Sequence, residues 1–149
     1  MTTMTDLKNR HKKEISSLMG KYGVFVSTSD NQFEEQRVEG VKYCAIDAGA
    51  WSPVDNAGEY LHRFRRMTDA HSAEIIREIP KRDIITYELD KQNCISTGEY
   101  SGAVNALQCY WIRPEEVEKV FWEELHKREE EREPAYSDIR EGSAGAEAQ

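Results

Sequence analysis

Long apolar runs are missing from this sequence of 149 residues. A transmembrane helix needs about 18 or more consecutive apolar residues, and no segment approaches that length. The first residues also lack the apolar stretch that is typical of a signal peptide. These absences predict a cytoplasmic protein that makes no contact with a membrane.

Cysteine is scarce, and common catalytic motifs are missing. The three cysteines, Cys44, Cys94 and Cys109, show no Cys-x-x-Cys spacing, which favours free thiols over a disulfide framework. Cys44 and Cys94 have no neighbouring base of the kind that activates a nucleophilic thiol. Gly98 and Gly102 lack the strand–loop–helix context of a phosphate-binding loop. We therefore assign no catalytic residue and no metal ligand, and we expect no cofactor.

Basic residues are fewer than acidic residues: 20 against 28, which gives a net charge of -8. Residues 129–149 hold seven acidic residues and two arginines, a local charge of -5, so the preceding chain carries only -3. We predict a nearly balanced domain at residues 6–132 and a disordered acidic tail at residues 133–149. This balance disfavours direct nucleic-acid binding and favours contact with basic partners.

The N-terminal half alternates between helical and strand-like patterns. Asp6–Met19 has a narrow apolar stripe at helical spacing, and Gly20 suits the end of that helix. Tyr22–Ser27 is rich in aromatic and β-branched residues, which indicates a strand. The following Ser-Asp-Asn-Gln reads as a capping box before a short helix that stops at Gly40. Val41–Asp47 is a second strand, and the short link favours antiparallel pairing.

The second half is mainly helical in pattern. Ile84–Tyr87 favours a strand, but the possible cap at Asp83 and the residues after Tyr87 favour a helix, and we predict the helix. The other predicted elements are a loop at Ala48–Pro53, a helix from Asp55 or Asn56 to Ile79, a brief strand at Cys94–Ile95, a helix at Gly98–Leu107 and a helix that opens at Pro114. The sequence therefore predicts a single helix-rich α+β domain with a small antiparallel sheet.

Two clusters suggest ligand chemistry. Glu59 and His62 share a helix face at a spacing found in metal-dependent enzymes, although a lone pair of this kind is usually solvated. Arg63, Arg65 and Arg66 could bind the phosphates of a small ligand, or they form a solvated, salt-bridged face. Trp51, in the predicted loop, is either a core residue or an exposed anchor that contacts a partner or that ligand.

The order of motifs along the chain resembles a known family. An N-terminal helix leads into the aromatic strand, and the strand runs into Ser29–Glu35, which reads Ser-x-x-Gln-Phe-x-Glu. Ile85–Leu89, Asn93–Ile95 and a helix with Glu-Glu-Val in its first turn follow. Over about residues 7–126 the chain is similar to small uncharacterised proteins carried by phages and mobile elements of gut bacteria. Asp90–Asn93 departs from the Asn-His-Glu-like segment expected there.

The resemblance implies a non-enzymatic accessory protein in the cytoplasm of a host cell. Acidic proteins of this setting often inhibit host defence complexes, such as CRISPR effectors, by occupying a basic groove. The acidic surface of the last helix would speed the encounter. Two alternatives stay open: a protein that sequesters a nucleotide signal, acting as an oligomer, and a metal-dependent enzyme built on Glu59 and His62. The expected partner-binding residues are Trp51, Glu115, Glu116, Glu118, Glu123 and Glu124.

Overall fold

The computed structural model describes residues 2–147, with side chains described for residues 2–131. The chain forms two compact units, Met1–Glu78 and Ile79–Gln149. The first contains α1 (Met4–Tyr22), β1 (Phe25–Val26), α2 (Asp30–Gln36), β2 (Tyr43–Asp47), β3 (Ala50–Pro53) and α3 (Val54–Glu78); the second contains α4 (Lys81–Lys91), α5 (Cys94–Thr97), α6 (Ser101–Leu107), a 3-10 turn (Gln108–Tyr110) and α7 (Pro114–Glu147).

The sheet of the first unit has the strand order β1-β3-β2, with both pairings antiparallel. The prediction of a loop at Ala48–Pro53 is therefore wrong, because Ala50–Pro53 is the central strand. Gly49 adopts a left-handed conformation with φ 75° and makes the tight turn that folds β3 back on β2. Ser52 is fully buried. Gly49 lies in the turn just before this strand, and Pro53 ends it.

Helix α1 is longer than its apolar stripe predicted. Thr3 and Asp6 form a capping box at its start, since each side chain bonds the backbone N–H of the other residue. At its other end Gly23, with φ 70°, provides the left-handed C-cap, so the helix continues past Gly20 to Tyr22. The predicted strand at Tyr22–Ser27 is reduced to Phe25–Val26 for this reason.

The capping box predicted before α2 is half correct. The Ser29 hydroxyl accepts a hydrogen bond from the Gln32 N–H at 3.2 Å. The Gln32 side chain, however, accepts from the N–H of Thr28 at 2.8 Å, one residue earlier than a capping box requires. Helix α2 also ends at Gln36 rather than at Gly40.

The apolar core of the first unit lies between α1, α3 and the sheet. Leu18, Tyr22, Val24 and Tyr60 are buried there. The partly buried residues packed against them are Met19, Ile46, Phe64 and Met67. Helices α1 and α3 run antiparallel, because Tyr22 at the end of α1 bonds Glu59 near the start of α3, while His11 earlier in α1 bonds Glu74 near the end of α3.

In the second unit, α4, α5 and α6 all pack against α7. Leu89, Leu107, Val117 and Phe121 are among the most deeply buried residues. The helix predicted for Asp83–Lys91 is present as α4. The strand predicted at Cys94–Ile95 is wrong, because Asn93 and Gly98 both take left-handed conformations and enclose one helical turn, α5.

Helix α7 begins at Pro114, as the sequence predicts, and the Arg113 N–H bonds the Glu116 carboxylate at 2.9 Å. The predicted tail at 133–149 falls outside the residues whose side chains are described. The predicted class, a helix-rich α+β domain with a small antiparallel sheet, is confirmed. Its division into residues 6–132 and a tail stays a prediction.

Candidate functional sites

Two histidines and two glutamates form a crossed cluster between α1 and α3, which we call the His–Glu cluster. The imidazole rings of His11 and His71 stack with centroids 3.8 Å apart and an interplanar angle of 9°. His11 Nε2 lies 2.6 Å from the Glu74 carboxylate, and His71 Nε2 lies 2.5 Å from that of Glu14. Ionised carboxylates only accept hydrogen bonds, so each Nε2–H donates to the opposite helix.

The His–Glu cluster arises from one motif used twice. His11-Lys-Lys-Glu14 in α1 and His71-Ser-Ala-Glu74 in α3 both place a histidine three residues before a glutamate. Because the two helices run in opposite directions, the two motifs meet head to tail. None of these four residues is among the predicted site residues, although the repeated His-x-x-Glu spacing is visible in the sequence.

The bonded atoms of the His–Glu cluster leave no room for a metal ion between them. A zinc ion between imidazole and carboxylate needs about 2.0 Å to each ligand atom, and so a wider N–O gap than 2.6 Å. In the part of the chain that the structure describes, no group of three or more His, Cys, Asp or Glu side chains could hold a metal.

The electrostatics of the His–Glu cluster favour the ionised form of Glu74. The guanidinium of Arg10 bonds Glu74, and this contact, followed by that from His11, lowers the pKa of Glu74 from 4.5 to about 2. Arg10 also lies 3.8 Å from the Glu14 carboxylate. The pair of helices is therefore joined by charge-assisted hydrogen bonds as well as by apolar contacts.

We expect acid to weaken the fold through Glu74. A carboxylate whose pKa is lower in the folded state stabilises the protein above its unfolded value, and this contribution is lost as the pH falls from about 4.5 towards 2. In Glu74→Gln the free energy of unfolding should therefore change less between pH 4.5 and about 2. Urea unfolding of both proteins across the window, followed by circular dichroism, measures the difference.

The control for this acid experiment is Glu35→Gln. Glu35 is exposed on α2 and carries no ion pair within the described residues. In this variant the free energy of unfolding should depend on pH as strongly as in the natural protein. A Glu74→Gln variant with the same pH dependence as the natural protein would contradict the role given to Glu74.

Beside the His–Glu cluster, two depressions lie along α1 and α3, and we call them together the α1/α3 groove. One, of about 440 Å³, is lined by Arg10, Lys13, Glu14, Ser17, Leu18, Lys21 and Met67. The other, of about 370 Å³, is lined by Leu18, Glu59, His62, Arg63, Arg66 and Met67. Leu18 and Met67 line both depressions, so the two adjoin each other.

The groove brings together only some of the residues suggested for ligand binding. Arg63 and Arg66 line it, whereas Arg65 is exposed elsewhere on α3 and Trp51 is not among the lining residues. Glu59 accepts a hydrogen bond from the Tyr22 hydroxyl at 3.0 Å and lies 3.4 Å from Arg63. The Tyr22 bond is the largest cause that lowers the Glu59 pKa.

Trp51 lies in β3 and belongs to an aromatic cluster of the first unit. Its ring is 4.9 Å from that of Phe33 in an edge-to-face arrangement. Phe33 also contacts Phe25 and Tyr43, and the latter two rings contact each other at 5.3 Å. Trp51 is half-buried, so most of its surface is used in packing rather than left for a partner.

Trp111, in the second unit, is the most exposed of the three tryptophans. It is 85% exposed, while its neighbours Tyr110 and Ile112 are buried. Its backbone is left-handed, with φ 60°, a conformation that costs an L residue about 1–2 kcal/mol. The burial of both neighbours fixes the turn in which Trp111 points outwards. No sequence signal predicts a positive φ at tryptophan.

The five glutamates expected to contact a partner lie on α7, and three of them have partners within the fold. Glu116 bonds Lys81 at 2.8 Å, and Glu123 and Glu124 both bond Arg82. Glu115 and Glu118 are exposed and make no ion pair within the described residues. The carboxylates available to a partner are therefore fewer than the sequence suggests.

The cysteines are free and offer no sign of a reactive site. Cys94 is buried, and this burial raises the pKa of its thiol, which opposes the thiolate needed for nucleophilic attack. Cys44 is half-buried in β2, and Cys109 is exposed after α6.

The fold is that of a small, helix-rich α+β protein. None of the described helices has the length and apolar character that crossing a bilayer requires. The chain belongs to a family of unknown function (DUF7659), which matches residues 3–133. No curated protein and no solved structure matches the chain. This match confirms the predicted membership of an uncharacterised family.

Proposed function

We propose that this protein is a non-enzymatic binding protein that uses the surface around Trp111 to contact a larger protein or ribonucleoprotein complex. The observation that carries the proposal is the 85% exposure of Trp111 on a left-handed backbone. Strained conformations persist where the surrounding structure fixes them, and they concentrate at functional sites. Tryptophan is also the residue type most enriched among energetically dominant interface contacts.

The charge distribution supports a partner with a Lys/Arg-lined contact surface. Residues 79–131 contain twelve acidic and seven basic residues, a charge of -5, whereas residues 1–78 contain twelve and eleven. The acidic excess of the folded chain therefore lies in the unit that carries Trp111. Glu115 and Glu118 follow this tryptophan closely and remain available for intermolecular ion pairs. Such complementarity raises the rate of association.

The particular partner that we propose is a defence complex of a host cell, such as a CRISPR effector, which the protein would inhibit by occupying a basic groove. This part rests on the resemblance to proteins of phages and mobile elements and on the acidic charge. A partner of this class would require the protein to be in the host cytoplasm.

The proposal predicts capture of such a complex by the full chain. Tagged protein should retain a defence complex from a lysate that expresses it, and high salt should weaken the retention. Trp111→Ala should abolish capture, and the double variant Glu115→Lys/Glu118→Lys should reduce it. Quantitative mass spectrometry of the eluates measures each effect.

The double variant Glu35→Lys/Glu39→Lys makes the same charge change in the first unit and should capture the complex normally. Recovery of no defence complex at low salt would contradict the partner class. Equal capture by the natural protein and by Trp111→Ala would contradict the contact surface.

A further inference from the structure

The α1/α3 groove has the size and the lining of a small-molecule site. Each of its depressions has a volume, about 440 and about 370 Å³, within the range of ordinary ligand pockets. Leu18 and Met67 form an apolar floor that both depressions share. Such a floor suits a flat aromatic group, and the methionine thioether makes favourable contacts with aromatic rings.

The rim of the groove is basic, in contrast to the rest of the chain. Arg10, Lys13 and Lys21 come from α1, and Arg63 and Arg66 come from α3, against the carboxylates of Glu14 and Glu59. Five cations and two carboxylates give the groove a charge of +3, whereas the whole chain has a net charge of -8.

Both carboxylates of the groove are already engaged by the protein. Glu14 accepts from His71 at 2.5 Å and lies 3.8 Å from Arg10. Glu59 accepts from Tyr22 and lies beside Arg63. Lys13 and Arg66, in contrast, make no ion pair within the described residues, and Lys21 acts on Glu59 only at longer range than a salt bridge. The cations without a carboxylate partner therefore come from both walls of the groove.

A short anionic ligand fits this surface better than a nucleic acid does. A long polyanion would extend beyond the groove over a molecule whose net charge is -8, and this would oppose its binding. A single small ligand can place its phosphates on the lysines and arginines while its aromatic part covers Leu18 and Met67.

We propose that the α1/α3 groove binds a nucleotide, with the phosphates on Lys13, Lys21 and Arg66 and the base on Leu18 and Met67. This site is independent of the surface around Trp111. It lies in the first unit, and its test uses variants that leave the second unit unchanged.

Calorimetric titration of the full chain with ATP tests the proposal. ATP should bind in low salt and more weakly in high salt, and adenosine and tripolyphosphate, which each supply half of the ligand, should both bind less well than ATP. Arg66→Glu should weaken ATP binding by about tenfold or more. Arg65→Glu, the same charge change one residue earlier on the same helix, should bind within about twofold of the natural protein.

The position of the ligand can be checked by NMR of the methionine methyl groups. ATP should shift the signal of Met67, which lies on the floor, and leave that of Met4, which lies near the start of α1, unchanged. Absence of heat with ATP in low salt would overturn the proposal. Equal weakening by Arg65→Glu and Arg66→Glu would also overturn it, and tripolyphosphate that binds as well as ATP would refute the role of the apolar floor.

Discussion

Replacement of Trp111 by glycine is expected to stabilise the protein and at the same time to abolish partner binding. Glycine adopts φ 60° without the steric cost that tryptophan incurs, and this gain exceeds the added entropy of the unfolded chain. The free energy of unfolding should rise by up to about 1 kcal/mol. Affinity for the captured complex should fall by about a hundredfold or more, as at other dominant interface residues.

Trp111→Ala is the matched control for this result. Alanine retains the Cβ that makes the left-handed conformation costly, so its stability should stay within about 0.5 kcal/mol of the natural protein. It should nevertheless lose binding as completely as glycine does. Urea unfolding and a surface-immobilised binding assay give the two quantities. A glycine variant that is less stable than the alanine variant would contradict the backbone argument.

Replacement of Phe121 by alanine should cause the largest loss of stability. Its side chain is only 2% exposed and contacts Tyr100, with ring centroids 4.7 Å apart. Removal of a buried phenylalanine combines the lost transfer free energy with the cost of a cavity, about 3–5 kcal/mol. This is a large fraction of the about 5–15 kcal/mol that holds a typical domain folded.

The neighbouring Trp122→Ala provides the comparison for Phe121. Trp122 is 45% exposed and meets the Phe121 ring edge to face at 5.3 Å. Its truncation removes a larger side chain but leaves less of a cavity, so it should cost less than half as much. Denaturant unfolding of both variants measures the order. A smaller loss for Phe121→Ala than for Trp122→Ala would show that the core of the second unit is centred elsewhere.

Helices were the most predictable part of this fold because their signals are local. Pro114 begins α7 as its preference for the first turn predicts, and α4 forms despite its β-branched residues. The strand β3 was missed because only four residues lie between Gly49 and Val54, and pairing with both neighbours makes them a strand. Strand formation depends on partners that a local pattern does not contain.

The candidate site residues were likewise predictable where the signal is local, and not where it depends on packing. Helical periodicity brings Arg63 and Arg66 to one face, and the structure places both in the α1/α3 groove. Arg65, between them, points elsewhere, as the 3.6-residue period requires. The exposure of Trp111 depends on the burial of its two neighbours, which is a property of the packed unit rather than of the sequence around it.

The crossed bonds of the His–Glu cluster fix how far α1 can slide along α3. A shift by one helical turn, about 5.4 Å, would separate both imidazoles from their carboxylates at once. Sequence changes in the segment that joins α1 to α3 can therefore alter its length without altering which side chains meet. Relatives that keep both His-x-x-Glu motifs should keep the same alignment of the two helices, however much the intervening sheet varies.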